Sequence, residues 1–219
     1  MNPYDHARSS ARLHGGHWSD YHPLHAWFDL TKSAHCHFTH RALRHHHQGI
    51  AEAVAMFGPH VRNRDGAHVA VELLGRQHIE EDCSAMPQAA DWLDGFDMPD
   101  WFQMPLPTPE DLARISALRF GGTAETFLPL HEWFLATRHW TAGPEHLLFR
   151  HHAFGIYETE IRFGPALTDG ALAVPTRVVA EQHVRSVLGR LPAAPDVLRR
   201  IKAQRWMLQA TAPATLGLA

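Results

Sequence analysis

Histidine is the residue type in this chain that could do chemistry, at 20 of 219 residues. Five positions occur twice at matching places: His25 and His131, His40 and His146, His45 and His151, His46 and His152, His78 and His183. A neutral imidazole is the commonest metal ligand. On a wheel at about 100° per residue, His46 shares a face with Leu43, Ile50 and Phe57, and His40 lies beside that face. His25 sits among Leu24, Trp27 and Phe28, so it too is expected to face inward. His45 is turned well away on the same wheel, and with His35, His37 and His47 it reads as solvated or partner-facing. An unsatisfied buried polar group costs about 1 to 3 kcal/mol, so several inward imidazoles in one small lobe need partners. His25, His40, His46 and His78 are therefore the candidate ligands of a divalent transition metal, whether zinc, manganese or iron. The plainer reading stands beside this one, since a single inward histidine on an apolar face is usually bonded to a backbone carbonyl.

Carboxylates separate the two sets. Asp29 lies one turn after His25, and Glu80, Glu81 and Asp82 follow His78, whereas the second set has Leu135, Arg185, Ser186 and Val187 at those places. Asp82 and Glu80 are candidates for a further ligand or a general base; Glu81 reads as surface charge. Arg44, repeated as Arg150, is a third candidate catalytic residue, able to hold an anionic substrate or a ligand carboxylate. Its alternative role is to clamp loop carbonyls.

The elements that must position these residues come as two copies of one unit. An offset of 106 aligns Gly15-Gly16 with Gly121-Gly122, Pro23-Leu24-His25 with Pro129-Leu130-His131, and HRALRHHHQGI from His40 with HLLFRHHAFGI from His146. After a length change the offset becomes 105 and pairs Gln77-His78 with Gln182-His183. Thr108-Pro109-Glu110-Asp111 marks a helix start, with a hydroxyl N-cap, proline at the first position and acids near the positive dipole end. Gly121-Gly122 stops that helix, and its counterpart runs from about Tyr4 to His14. A second helix starts near Ser19 or Thr123, and a third is expected over about Phe38 to Phe57 and Pro144 to Phe163. Asp65-Gly66 and Asp169-Gly170 between extended stretches predict hairpins, with Pro175 marking an edge or irregular strand. A short helix is expected from about Arg76 to Cys83 and Glu181 to Leu188. A last one begins near Gln88 or Ala193 and runs in the second copy to about Ala210. The fold class expected is mainly α with one small β-hairpin per lobe (α+β), as two tandem pseudo-twofold-related helical lobes. The first lobe spans 1–95, a proline- and aromatic-rich linker 96–107, and a second, degenerate lobe 108–219.

Bulk properties narrow the function classes. No stretch approaches the ~18 to 20 uninterrupted apolar residues of a membrane span, and the first residues carry no hydrophobic signal region, so a soluble cytoplasmic protein is expected. Cys36 and Cys83 form no zinc-like pair and read as reduced thiols. A formal net charge of -3 makes nucleic-acid binding the weakest option, although Arg41, Arg44, Arg62, Arg64 and Arg76 could form a local patch. Neither a phosphate-cradling glycine loop nor a dinucleotide fingerprint is present.

The pattern HARSSAR, GG, DY, LHAWFD, then HRALRHH and GI, then G-x-Q-H-x-x-E-D and DWL, resembles a small uncharacterised bacterial and phage domain of unknown function. It covers nearly all of 3–93 and, more loosely, 108–198, where the acids after Gln182-His183 are missing. Members of that family are typically single copies of one lobe's length, so the resemblance implies a fused pair that imitates a homodimer within one chain, compatible with a monomer. It implies nothing about substrate.

Two functions follow. One is a metalloenzyme acting on a small-molecule substrate from the first lobe, with hydrolysis ranked ahead of oxidation at non-haem iron. The other is a non-catalytic interaction or accessory protein, phage or defence related, with structural histidines and a protein partner.

Overall fold

The computed structural model describes residues 1–218. They form two compact units, one of residues 1–96 with 201–218 and one of 97–200. The last stretch of the chain thus packs with the first unit and does not extend the second. Likewise residues 97–107, read from sequence as a linker, belong to the second unit, where Phe102 is buried.

In the first unit, helices α1 (Pro3–His14) and α2 (Trp18–Asp29) pack side by side. Asn2 caps α1 by accepting from the Asp5 amide, and Pro3 occupies the first turn, where its missing N–H leaves no bond unmade. Gly15 and Gly16 both adopt positive φ, and the Gly16 amide donates to Asp65 Oδ2 at 2.6 Å. A Cβ at Gly16 would lie 2.8 Å from Asn63 Cβ, so this helix stop also seats the hairpin loop. That hairpin is β1 (His60–Arg62) and β2 (His68–Ala70), antiparallel with Val61 opposite Val69.

Helix α3 (His47–Phe57) is shorter than the sequence suggests. Residues Phe38–Leu43 form a separate 3-10 helix, Arg44 leaves the helical region at φ -144°, and His46 is extended. Gly49 explains the break: a Cβ there would lie 1.9 Å from the Arg44 carbonyl oxygen, so only glycine lets the chain fold back on itself. Helix α4 (Val71–Cys83) starts five residues earlier than the alternating His-Val-Ala-Val-Glu implies. Its inward face, Val71, Leu74, His78, Ile79 and Asp82, has helical spacing and is buried, and that burial outweighs the local strand preference. Tyr21, Leu24, Phe28, Ile50, Leu74 and Ile79 close the core.

The second unit repeats the plan with α5 (Pro109–Phe120), α6 (Ala124–Leu135), α7 (Ala153–Phe163), β3 (Ala166–Asp169), β4 (Leu172–Pro175) and α8 (Thr176–Leu188). Pro175 ends its strand opposite Ala166, where no further ladder bond is needed. The final helix is only α9 (Ala194–Leu198), and residues up to 210 do not continue it. The fold is thus mainly helical with one small antiparallel hairpin per unit, as the sequence implies.

Replacing Gly49 or Gly155 with alanine should lower unfolding stability by about 2 to 4 kcal/mol, because the clash is with backbone and cannot be relieved by a rotamer. Urea titration of G49A beside Gly58→Ala, whose Cβ meets nothing within 4 Å but whose φ is +81°, separates the clash from backbone strain.

Candidate metal centre

Four side chains converge inside the first unit: Asp29 from the end of α2, His45 from the break before α3, and His78 and Asp82 one turn apart on α4. Each offers one ligand atom, and these atoms lie within 4.8 Å of one another, in a group that could hold a metal ion. All four residues are buried. The Nε2 atoms of His45 and His78 are 3.1 Å apart, His45 Nε2 is 3.3 Å from Asp82 Oδ2, and His78 Nε2 is 4.0 Å from Asp29 Oδ1. A metal bound at about 2.0 to 2.1 Å sets tetrahedral ligand atoms about 3.3 to 3.4 Å apart. The observed spacings bracket that value.

A chain of hydrogen bonds fixes which nitrogen of His78 is free to ligate. Ser10 donates its hydroxyl to Gln77 Oε1 at 2.9 Å, so it accepts from His25 Nε2, 2.8 Å away. His25 Nδ1 then carries a lone pair and accepts from His78 Nδ1 at 3.0 Å. His78 is left with its lone pair on Nε2, facing His45, Asp29 and Asp82. Burial, together with the charges of His6, His45 and His25, holds the His78 pKa well below normal, so the ring is neutral, as a ligand must be. His45 is lowered by burial as well.

Asp82 is charged. Burial alone would raise the Asp82 pKa, but hydrogen bonds from His45 and His6 and the neighbouring positive charge outweigh it and hold the group well below the usual range. The Met1 amine lies 2.6 Å from Asp82 Oδ1, and Arg41 Nε lies 3.2 Å from Oδ2. His6 bridges two acids, with Nδ1 2.6 Å from Glu81 Oε2 and Nε2 3.3 Å from Asp82 Oδ1. Burial lowers its pKa, but these two partners reverse the balance and raise it. Asp29 is paired with Lys32 at 2.7 Å, an ion pair not aligned as a hydrogen bond, so both Asp29 oxygens remain without a hydrogen-bond donor.

Of the residues singled out from sequence, His78 and Asp82 are in this cluster. His25 stands directly behind it with both nitrogens engaged. His40 is tied through Nδ1 to Thr31 Oγ1 at 2.8 Å and turns its ring edge-on to His45. His46 caps α3, its Nδ1 accepting from the Gly49 amide at 3.0 Å. Arg44 donates to the Trp27 carbonyl and lies 3.9 Å over the Trp27 ring, and Arg150 repeats this on Trp133. Glu80 is exposed, on the wall of an open cleft of about 450 Å³ between α1 and α4. His45, expected to face solvent, is fully buried: the wheel assumed one helix from 38 to 57, and the break at Arg44–His46 rotates it inward. Glu81, read as surface charge, is buried against His6, Ser9 and Gln77. His6 escaped notice because its partner position, Leu112, is not a histidine.

The second unit retains the imidazole chain. Ser116, His131, His183 and His151 are linked at 2.9, 2.8 and 3.2 Å. The positions of Asp29 and Asp82 hold Leu135 and Val187, so two of the four candidate ligand positions are hydrocarbon there.

A family model described as "Domain of unknown function (DUF6915)" matches residues 1–102 and again 108–207. The chain belongs to this family. It carries the DUF6915 domain twice, in tandem, as the internal repeat indicates. No curated protein and no solved structure matched the chain. Family membership therefore confirms the duplication and leaves function to the geometry of the site. Among the described residues no helix is long and apolar enough to cross a membrane.

The buried histidines make the fold acid-sensitive. Burial lowers the pKa of His131, His146 and His152 to about 4 each. An unfolded histidine titrates near 6.5, so this contribution is complete above that pH and is lost as pH falls toward 4. Between those limits the three together should remove about 4 kcal/mol per pH unit. His6 has the opposite sign, its stabilisation being lost as pH rises past its elevated pKa. Urea unfolding from pH 7.5 to 4.5 should show a steep loss beginning below about 6.5. A flat profile would contradict the neutral assignment.

Proposed function

We propose that this protein is a divalent-metal-dependent hydrolase whose single centre lies in the first unit, ligated by Asp29, His45, His78 and Asp82. The observation that carries the reading is the convergence of two imidazoles and two carboxylates from three separate segments, with His78 held in the ligating tautomer. Zinc, manganese and iron all accept such a mixed set. Two carboxylates and two imidazoles favour hydrolysis over an oxygenase site, which typically presents two histidines and one carboxylate with open positions. A bound ion would lower the pKa of a coordinated water and polarise a carbonyl or phosphoryl oxygen.

The chain's own residues do the rest. His25 and Ser10 orient His78, and His6 and Arg41 hold Asp82 ionised and fixed. Asp29, lacking hydrogen-bond donors, is the ligand freest to swing away and open a coordination position. Glu80 and Glu81 line the cleft on the outer side of α4, the solvent-facing approach for a small-molecule substrate.

A second reading has its own support. The second unit builds the same imidazole chain with no carboxylate at either ligand position, so that arrangement does not itself call for a metal, and the histidines of both units could serve structure in an interaction protein.

Elemental analysis of protein grown with zinc, manganese and iron separates the two readings. The hydrolase reading expects close to one ion per chain, loss of most of it in His78→Ala and Asp82→Asn, and full retention in His183→Ala and His46→Ala. Hydrolysis of p-nitrophenyl ester and phosphodiester probes should follow metal content. Absence of a stoichiometric ion would leave the interaction protein standing.

A further inference from the structure

We infer that the segment 205–218 is a strap that gates the metal centre, acting through Arg41 and Glu81. This deepens the proposed function and rests on that metal site.

The strap belongs to the first unit and crosses α1 and α4. It is held largely by its own backbone. Met207 O accepts from Arg41 at 3.3 Å, Gln209 O from Ser84 at 2.6 Å, and the Thr211 amide donates to Glu81 O at 2.7 Å. Further along, Gly217 O accepts from Arg12 at 2.6 Å and Leu218 O from Arg8 at 2.9 Å. Met207 is fully buried, and Trp206 packs edge-on against Trp92, itself bonded to the His45 carbonyl at 2.9 Å.

Three of these anchors lead directly to the centre. Arg41, which holds Met207 O, also holds Asp82 Oδ2. Glu81, which holds the Thr211 amide, holds His6, Ser9 and Gln77 with its carboxylate, and His6 reaches the other oxygen of Asp82. Trp92, beneath Trp206, fixes the backbone of His45. Lifting the strap would therefore loosen the supports of two ligands at once and expose the His6–Glu81 edge. The cleft beside it already has Thr211 as one wall and Gln77 and Glu81 as another, so the strap also borders the only approach assigned to substrate above.

Recognition through main-chain groups suits a segment meant to lift and reseat: between the buried anchors Met207 and Leu218, residues 208–217 leave their side chains exposed or half-buried. The tail is rich in Ala and Leu, with a single Pro213 and a single Gly217, and Leu208 is exposed. Arg41 and Glu81 are positioning residues in this scheme, since each acts on the centre through another side chain.

The test uses the full chain carrying Arg12→Ala and Thr211→Pro, which removes anchors without touching a ligand or its neighbours inside the centre. The protein is loaded with cobalt(II), and release to excess chelator is followed by absorbance, with hydrogen exchange reporting on 205–218. Loss of these bonds should raise strap opening, and with it cobalt release, by roughly tenfold or more, at unchanged stoichiometry and with α2 and α4 still protected. Unchanged release from a strap that exchanges freely overturns the gate. So does a strap that stays protected in the variant, because the contacts named would not be what seats it. If neither wild type nor variant takes up cobalt, the metal site itself is wrong. A cross-linked chain, Ser84→Cys with Gln209→Cys, provides the converse: release should slow on oxidation and recover on reduction.

Discussion

The interaction on which the first unit depends is the buried contact of His78 with His25 on one side and His45 on the other. Each ring nitrogen in that line takes its role from the one before, beginning at the Ser10 hydroxyl. Helices α1, α2 and α4 and the break before α3 each contribute one member, so the line ties together the whole unit. An imidazole inside a core is costly unless both nitrogens are satisfied. Here the satisfaction is collective, and removal of one ring leaves its neighbour with an orphaned donor or acceptor.

The second unit shows which parts of this arrangement are scaffold and which are additions. It keeps the serine, the three histidines, the arginine clamp on tryptophan, the histidine N-cap and the glycine that admits the backbone turn. What it lacks clusters around the ligand positions: His6, Ser9, Asp29, Arg41, Glu81 and Asp82 correspond to Leu112, Ile115, Leu135, Leu147, Ser186 and Val187. These are the buried carboxylates together with the groups that hold them. Charged groups this deeply buried are retained only when partnered, and the joint absence fits a group that is stable as a whole or not at all.

Much of the fold was legible because the repeat let each copy be read against the other. The helix starts at Pro3 and Pro109, the glycine stops and both hairpins follow from capping and turn chemistry alone. The site was less legible, and the reason is local. A wheel drawn through residues 38–57 assumes a uniform helix, and the chain departs from one at Arg44, which turns His45 inward and makes the buried His46 an N-cap. The signal was present in Gly49 and Gly155, three residues after each N-cap, but the clash they avoid is with a carbonyl that only the folded turn brings near. Glu81 was misread for a related reason: its burial depends on His6 and on the strap, both distant in sequence.

Electrostatics decide what the centre can accept. Asp29 and Asp82 are out of water, and each already faces a cation: Lys32 on the first, the Met1 amine, Arg41 and His6 on the second. A divalent ion entering among them adds charge to a place that is already compensated, and at low local dielectric that repulsion is not screened. Binding of a divalent ion would therefore have to displace a resident cation. Arg41 is pinned between Asp82 and the strap, whereas Lys32 sits at the rim with its side chain 39% exposed and can return its ammonium to solvent at little cost. Asp29 would then be the candidate ligand for which lysine and metal compete, and the one most easily given back. The affinity of such a site would be set by that exchange as much as by the imidazoles, of which His78 already presents its lone pair while His45 would have to give up the Nε2 proton it donates to His78 and Asp82.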